Sequence, residues 1–367
     1  MLESFLSYVV WDPNPAVFPG FERLRWYSLL FALGFIISQQ FMVYFFRKEG
    51  QKEELVDKLT IIMVLATIIG ARLGHVLFYE PEKYLSNPLD ILKVWEGGLA
   101  SHGAAIAILL SLWFYAKRTP GQNYLWVLDR IAIVTAMTGA LIRFGNLMNS
   151  EIGGEDTGTD SGFVYAWDAE QILQSLKVPV ESIEAYKPQD RSGEMQGNGI
   201  VPVNIDLKIT KGTYALEDLE STLQRDIKYA LTQFNSSKQY LAEPLESPLN
   251  FTIADKGDHY LATVKTFGRA KHPTQIYESI SYLLIFLGLF AIWYKYTDRV
   301  PEGLLVGLFM IFVFGTRFLW EFFKETQVDF EKEMALNMGQ ILSIPLVTGG
   351  VILVILALKK GLKPEKS

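Results

Sequence analysis

The sequence predicts an all-α polytopic membrane protein of about seven transmembrane helices, with a small α+β domain inserted between the fourth and the fifth. Three observations carry this. Half of the 367 residues are hydrophobic, and they gather in seven runs long enough to cross a bilayer, at 26–46, 59–78, 98–116, 125–147, 275–296, 302–323 and 338–358. Charge is concentrated elsewhere: residues 155–271 hold 18 acidic and 12 basic residues, a net of −6 that equals the formal charge of the whole chain. The third observation is the side on which the short loops carry cations. Arg47, Lys48, Lys52 and Lys58, then Lys117 and Arg118, then Lys295 and Arg299, then the tail lysines Lys359, Lys360, Lys363 and Lys366 all fall on one face of a seven-span order. That face is expected to be cytoplasmic. The N-terminus, the polar insert and the ends of the second, fourth and sixth spans then lie outside, and the C-terminus inside.

The expected organisation is a membrane part at 1–154 (an arm and four spans), an extracytoplasmic insert at 155–271, and a second membrane part at 272–367 (three spans and a basic tail). Pro13, Pro15, Pro19 and Gly20 make the first 20 residues an extended arm. These residues lack the basic and apolar regions of a cleavable signal, so the first span is expected to serve as the insertion signal. Within the insert, 199–210 alternates through Ile200, Val201, Val203, Ile205, Leu207 and Ile209 and reads as a strand. Thr213 to Phe234 has helical spacing, through Leu216, Leu219, Leu223, Ile227, Ala230 and Leu231. Phe251–Ile253 and Tyr260–Val264 read as short strands. The stretch 155–197, rich in Gly, Asp and Ser, shows no clear period, and the chain has no internal repeat.

Several chemistries are excluded. With no cysteine there is no disulfide, thiolate nucleophile or Cys-based metal site. The four histidines, His75, His102, His259 and His272, form no paired helical ligand motif, so no metal is expected. No nucleophile elbow or phosphate-binding glycine loop is present. The acidic balance and the lack of a basic patch argue against nucleic acid.

Polar residues inside apolar runs are costly and mark function. IRFGNLMNSEIGG, Ile142 to Gly154, places Arg143, Asn146, Asn149 and Glu151 at the end of the fourth span. Arg143 and Asn146 are three apart and share one helical face. A planar fork of donors at headgroup depth suits a phosphate. Ser101 to Ile108 opens the third span with His102, which either serves chemistry or is satisfied by a backbone carbonyl beside small residues that permit close helix packing. Arg72, between Ala71 and Gly74, is either functional or half of a structural ion pair. His272 to Ser279 opens the fifth span. His272-Pro273 reads as a helix start there, with Gln275, Tyr277 and Glu278 toward the interface. Thr316 to Gln327 ends the sixth span, with Arg317, Glu321 and Glu325 at successive i,i+4 steps. Gln340 opens the seventh as a ligand or a helix–helix hydrogen bond.

Together these blocks resemble the prolipoprotein diacylglyceryl transferase family. The matching pieces are RWYS (Arg25 to Ser28), GARLGHVLFY (Gly70 to Tyr79), WEGGLASHGA (Trp95 to Ala104), RFGNLMNSEIGG, HPTQIYE, RFLWEFF and MGQILSIP, in the family's order across nearly the whole membrane part. The resemblance implies transfer of a diacylglyceryl group from phosphatidylglycerol to the lipobox cysteine of a preprolipoprotein signal peptide. The product is a thioether and glycerol phosphate leaves; the setting is the outer face of a bacterial inner membrane, and no cofactor is called for. It implies catalytic roles for His102, Arg143 and Arg317, and substrate contacts for Tyr27, Asn146, Glu151, Gly154 and Glu321. Arg72, Asn149, His272, Gln275 and Gln340 complete the candidate substrate-binding set.

The chain departs from the family pattern at Ile142 and Ser150, where glycine is usual, and at Ala104. His75 stands where tyrosine is common. Val313 stands where the family has a functional tyrosine, so a mechanism that needs that phenol calls for Tyr282 or another aromatic in its place. Two other classes fit parts of the pattern. A secondary transporter of an anionic solute also carries intramembrane charges, but with inverted repeats and midplane binding. A membrane sensor would use the insert alone.

Overall fold

The computed structural model describes residues 7–18, 20–21, 23–176, 178–195, 197–212, 216–326, 331 and 334–361. Pro19, the expected helix start at Thr213, Gln327 and the tail lysines Lys363 and Lys366 lie outside the described residues. The elements in order are strand β1 (Val9–Trp11), helices α1 (Trp26–Lys48), α2 (Glu54–Phe78), α3 (Ser101–Arg118) and α4 (Tyr124–Met148), and strand β2 (Phe163–Tyr165). There follow helix α5 (Trp167–Ser175), strands β3 (Val180–Tyr186), β4 (Ile200–Thr210), β5 (Phe251–Asp255) and β6 (His259–Arg269), and helices α6 (Thr274–Tyr296), α7 (Leu304–Trp320) and α8 (Met338–Lys360).

Among the described residues, six helices are long and apolar enough to cross a membrane: α1, α2, α4, α6, α7 with the turn after it, and α8. The expected third span is α3, a helix of 18 residues with His102 at one end and Lys117 and Arg118 at the other; its polar ends keep it out of the six. The sixth expected span, 302–323, corresponds to Leu304–Phe323. Helix α7 proper ends at Trp320 and Glu321–Phe323 continues it as a single tighter turn, so Glu325 lies beyond the helix and the step from Glu321 to Glu325 is not a helical one.

The chain divides into two compact units, one of Leu30–Ile142, Glu278–Leu319 and Leu336–Ser367, the other of Met1–Leu29, Arg143–Tyr277 and Trp320–Ala335. In the first, helices approach through glycines. A Cβ on Gly103 of α3 would lie 2.3 Å from the Gly70 carbonyl oxygen and 2.6 Å from the Gly74 Cα of α2. Gly307 of α7 and Gly350 of α8 make the same close approach. Small residues at helix contacts maximise van der Waals packing where lipid removes the hydrophobic drive. Caps come from side chains: Asn123 accepts from the Trp126 N–H at the start of α4, and Asn337 and Gln340 form a reciprocal capping box on α8. Asp129 of α4 accepts the N–H groups of Gly303 and Val306 at 2.8 and 2.9 Å and caps α7 from a neighbouring helix.

This unit also buries an ion network that the sequence did not announce. Glu49 and Arg130 pair in a bidentate fork at 2.7–3.0 Å, and the indoles of Trp126 and Trp293 donate to the same carboxylate. Every acceptor of Glu49 is thus met, which is the condition for keeping such a pair out of water.

The second unit is built on a four-stranded antiparallel sheet of order β3–β4–β6–β5, in which β4 and β6 pair along their whole length from Ile200 opposite Arg269 to Thr210 opposite His259. Val201, Val203, Ile205, Leu207 and Ile209 are buried with Leu219, Leu223, Ile227, Ala230 and Leu231. The alternation and the helical spacing read from the sequence are realised, the helical stretch as Leu216–Gln233 with a wider π turn at Leu223–Ile227. The strands expected at 251–253 and 260–264 are β5 and β6, joined at Gly257 with φ +92°. The stretch without a clear period contains β2, α5 and β3. The extended arm supplies β1, which pairs parallel to β2 with Val9 opposite Phe163.

Candidate active site

Nine of the thirteen candidate residues fall in the sheet-bearing unit, and their positions follow from the end of α4. Arg143 donates from Nη1 to Asn146 Oδ1 at 3.5 Å, Asn146 Nδ2 to Glu151 Oε2 at 3.5 Å, and Asn149 Nδ2 to Glu151 Oε1 at 3.1 Å. A guanidinium, two amides and a carboxylate form one chain of contacts, as the three-residue spacing predicts. The longer contacts lie at the outer limit of hydrogen bonding and leave the groups adaptable.

The helix ends in a turn that reverses the chain. The Ser150 N–H bonds Leu147 O at 3.0 Å and the Glu151 N–H bonds Asn146 O at 2.9 Å, the paired bonds of a Schellman motif. Ser150 occupies the left-handed position with φ +55°, where glycine is the usual solution, and Ile152 follows with φ +58°. Glu151 therefore sits between two strained residues. The strain is held from the other side: Gln275 donates to Glu151 O at 2.7 Å, Thr274 to Ile152 O at 3.1 Å, and the Tyr165 hydroxyl to Gln275 Oε1 at 2.9 Å. Gln275 is 1% exposed, so it does not face the interface as its sequence position suggests; it braces the turn. Glu278 is likewise buried.

Gly154 is required by close approach. A Cβ there would lie 2.5 Å from His272 O and 2.6 Å from Phe323 O, backbone on both sides. His272 accepts from Gly154 N–H at 2.9 Å and donates its own N–H to Glu155 O at 3.0 Å. Burial lowers the His272 pKa, against a smaller opposing pull from Glu155, and its ring lies 3.3 Å from the Tyr277 hydroxyl. Glu321 pairs with Lys324 at 3.0 Å, both largely buried. Lys324 bridges Gly154, so this pair borders the same loop. The Tyr27 Cα would lie 3.0 Å from a Cβ on Gly145, one turn from Asn149, and Tyr27 is close enough to feel both Glu151 and Arg143.

The helical unit carries Arg72, His102, Arg317 and Gln340. Arg72 is buried in α2 and donates to the backbone carbonyls of Asp90, Ile91, Gly97 and Gly98, with its guanidinium 4.8 Å from the Tyr84 ring. Among the described residues it makes no ion pair, and these bonds hold a loop. His102 stands in the first turn of α3, exposed, with the Phe78 and Tyr79 rings at 5.2 and 5.8 Å. Arg317 is in the last turn of α7. Gln340 closes the capping box on α8 and reaches Phe318 O of α7 at 3.5 Å. Val313 is buried in a small cluster with Tyr282 and Ala140, so a phenol does lie against the position that lacks one.

Sequence reasoning missed Tyr165, Thr274 and Lys324. Lys324 is three residues beyond Glu321, a spacing that signals a pair once the helix is known to end. Nothing local marks Tyr165, because its partner is 110 residues away.

A profile of the prolipoprotein diacylglyceryl transferase family matches residues 15–356. A protein of Tolumonas auensis named phosphatidylglycerol–prolipoprotein diacylglyceryl transferase is 32% identical over 351 residues, 95% of this chain and 98% of its own length. Proteins of the same name from Chloroherpeton thalassium and Porphyromonas gingivalis are each 32% identical, over 97% and 98% of this chain and 96% and 99% of their own lengths. The chain belongs to the prolipoprotein diacylglyceryl transferase family.

Proposed function

We propose that this protein transfers the diacylglyceryl group of phosphatidylglycerol to the lipobox cysteine of preprolipoproteins. The observation that carries the reading is the contact chain Arg143–Asn146–Glu151–Asn149 on a strained, clamped turn in a chain of this family. The peptide thiolate attacks the glycerol carbon that bears the phosphate. A C–S bond forms, the C–O bond breaks, and glycerol phosphate leaves with the electron pair. Arg143 and Arg317 neutralise the phosphate as negative charge builds on the leaving oxygen. The thiol, with an ordinary pKa of about 8.5, first loses a proton, and His102 is the base. Glu151 orients the headgroup through Asn146 and Asn149. Tyr27, Gly154 and Glu321 shape the surrounding wall, with His272 as neutral imidazole beside Gly154. Gln275, Arg72 and Gln340 act through the backbone they hold.

In this reading seven segments cross the inner membrane, with α3 as the third. The N-terminus and the 155–271 domain are extracytoplasmic, the C-terminus is cytoplasmic, the membrane parts are 1–154 and 272–367, and the chemistry faces outward. Positive-inside loops and the shared outer level of the polar blocks support that orientation. Both substrates are membrane-anchored and enter sideways.

The test uses purified protein, phosphatidylglycerol and a lipobox peptide, read by mass spectrometry. A diacylglyceryl adduct on the peptide cysteine that is reduced at least about 100-fold in Arg143→Ala is expected, the size of a lost transition-state donor. No adduct from folded protein, where another member of the family works, overturns the reading.

A further inference from the structure

The segment between α2 and α3, residues 79–100, has no role in the reaction above. It contains a short helix at Pro81–Ser86 and two tighter turns at Pro88–Leu92 and Val94–Glu96. Its inner side is fixed. Arg72 holds four of its carbonyls, Tyr84 is buried against that guanidinium, and the Ala100 N–H bonds Ala71 O at 2.9 Å. Its outer side is apolar: Leu85, Leu89, Leu92 and Trp95 are 79, 78, 70 and 77% exposed. A loop pinned this firmly does not display four large apolar groups through looseness. The apolar surface also continues directly from the outer wall of α2, where Leu77 and Phe78 are exposed. A lipid-facing helix wall that turns into a flat apolar strap with a tryptophan matches an element lying in the interface plane.

We infer that residues 79–100 form an interfacial strap that docks Leu85, Leu89, Leu92 and Trp95 into the headgroup–acyl boundary of the leaflet where α2 ends and α3 begins. Both of its lysines are already paired, Lys83 with Glu80 and Lys93 with Asp90, each at 2.7 Å. Docking is therefore apolar and does not draw on cation attraction to anionic lipid. Because Phe78 and Tyr79 at its root contact the His102 ring, the strap also fixes His102 at that level of the membrane.

The chain has no cysteine, so single Cys variants label cleanly. Nitroxides at Leu85→Cys, Leu89→Cys and Trp95→Cys are compared in phosphatidylcholine nanodiscs with an aqueous reference, Asp258→Cys in the β5–β6 hairpin, and a lipid reference, Leu284→Cys in mid-α6. The expected result is several-fold lower accessibility to a water-soluble nickel chelate than at 258, with oxygen accessibility between the two references. Replacing part of the lipid by phosphatidylglycerol leaves that order unchanged. Chelate accessibility equal to that at 258 places the strap in water, and exclusion of both probes means that protein, such as a second copy, covers it; either overturns the inference. The readout is independent of transferase activity, so its failure is separate from failure of the catalytic reading.

Discussion

Ser150 and Ile152 place two left-handed side-chain-bearing residues on either side of Glu151. The left-handed region costs an L-residue roughly 1–2 kcal/mol, and the surrounding bonds from Gln275 and Thr274 keep the turn in place. Ser150→Gly removes most of that cost at the helix end, less the backbone entropy of glycine. It is expected to raise stability by about 0.5–1 kcal/mol in thermal unfolding. Gly154→Ala goes the other way: a methyl 2.5 Å from one carbonyl and 2.6 Å from another must push backbone aside. A loss of about 1–3 kcal/mol is expected, together with loss of adduct formation.

A second residue-scale effect is set by charge. Glu170 in α5 is buried beside Asp12, and burial, reinforced by Asp12, pushes its pKa up to about 9. Its carboxyl accepts from the Ala185 N–H at 2.8 Å, and Glu184 adds further negative charge nearby. The folded chain then binds a proton that the unfolded chain has released above the usual carboxylate range. Stability from this pair is full in acid and declines as pH rises toward about 9. Glu170→Gln abolishes the titration. Thermal unfolding at about pH 5 and about pH 8 is expected to show a smaller loss with pH in the variant than in the parent; an equal loss would assign the pH dependence to other groups.

At the scale of elements, α2 and α3 are joined through glycine. Gly70, Gly74 and Gly103 bring backbone against backbone, and this contact sets where His102 emerges. Gly103→Leu cannot be absorbed by a side-chain rotation, because the atoms it meets are main chain. The variant is expected to lose roughly 1–3 kcal/mol or more of stability in detergent and to lose activity even though His102 is intact. The sequence showed the small residues and the polar groups, but not which helix they faced. It also gave no sign of the change of winding in the sixth span: the apolar run continues through Phe322 and Phe323, while α7 gives way to a tighter turn after Trp320. Hydropathy registers composition and is blind to the bonds that Glu155 N–H and Gly154 make beyond that point.

At the scale of the whole molecule, a buried ion pair shows what long-range contact adds. Glu49 and Arg130 are 81 residues apart and nearly inaccessible. Glu49→Ala leaves a buried guanidinium and two indole N–H groups without their acceptor, and a loss of about 3–5 kcal/mol is expected in thermal unfolding. Removing both partners together in favour of apolar side chains should cost less, which a double-mutant cycle measures.

What the chain determined by itself was written in periods and local chemistry. Apolar runs specified membrane helices, alternation specified β4, and the Arg143–Asn146–Glu151 spacing specified a polar cluster at a helix end, because each depends on residues within a few positions. The arm paired on β2, the brace from Tyr165 through Gln275 to Glu151, and the use of Arg72 to hold a strap were decided only in three dimensions. Each joins residues far apart in sequence and ends on backbone groups, which nearly every residue carries alike, so no local side-chain pattern announces them.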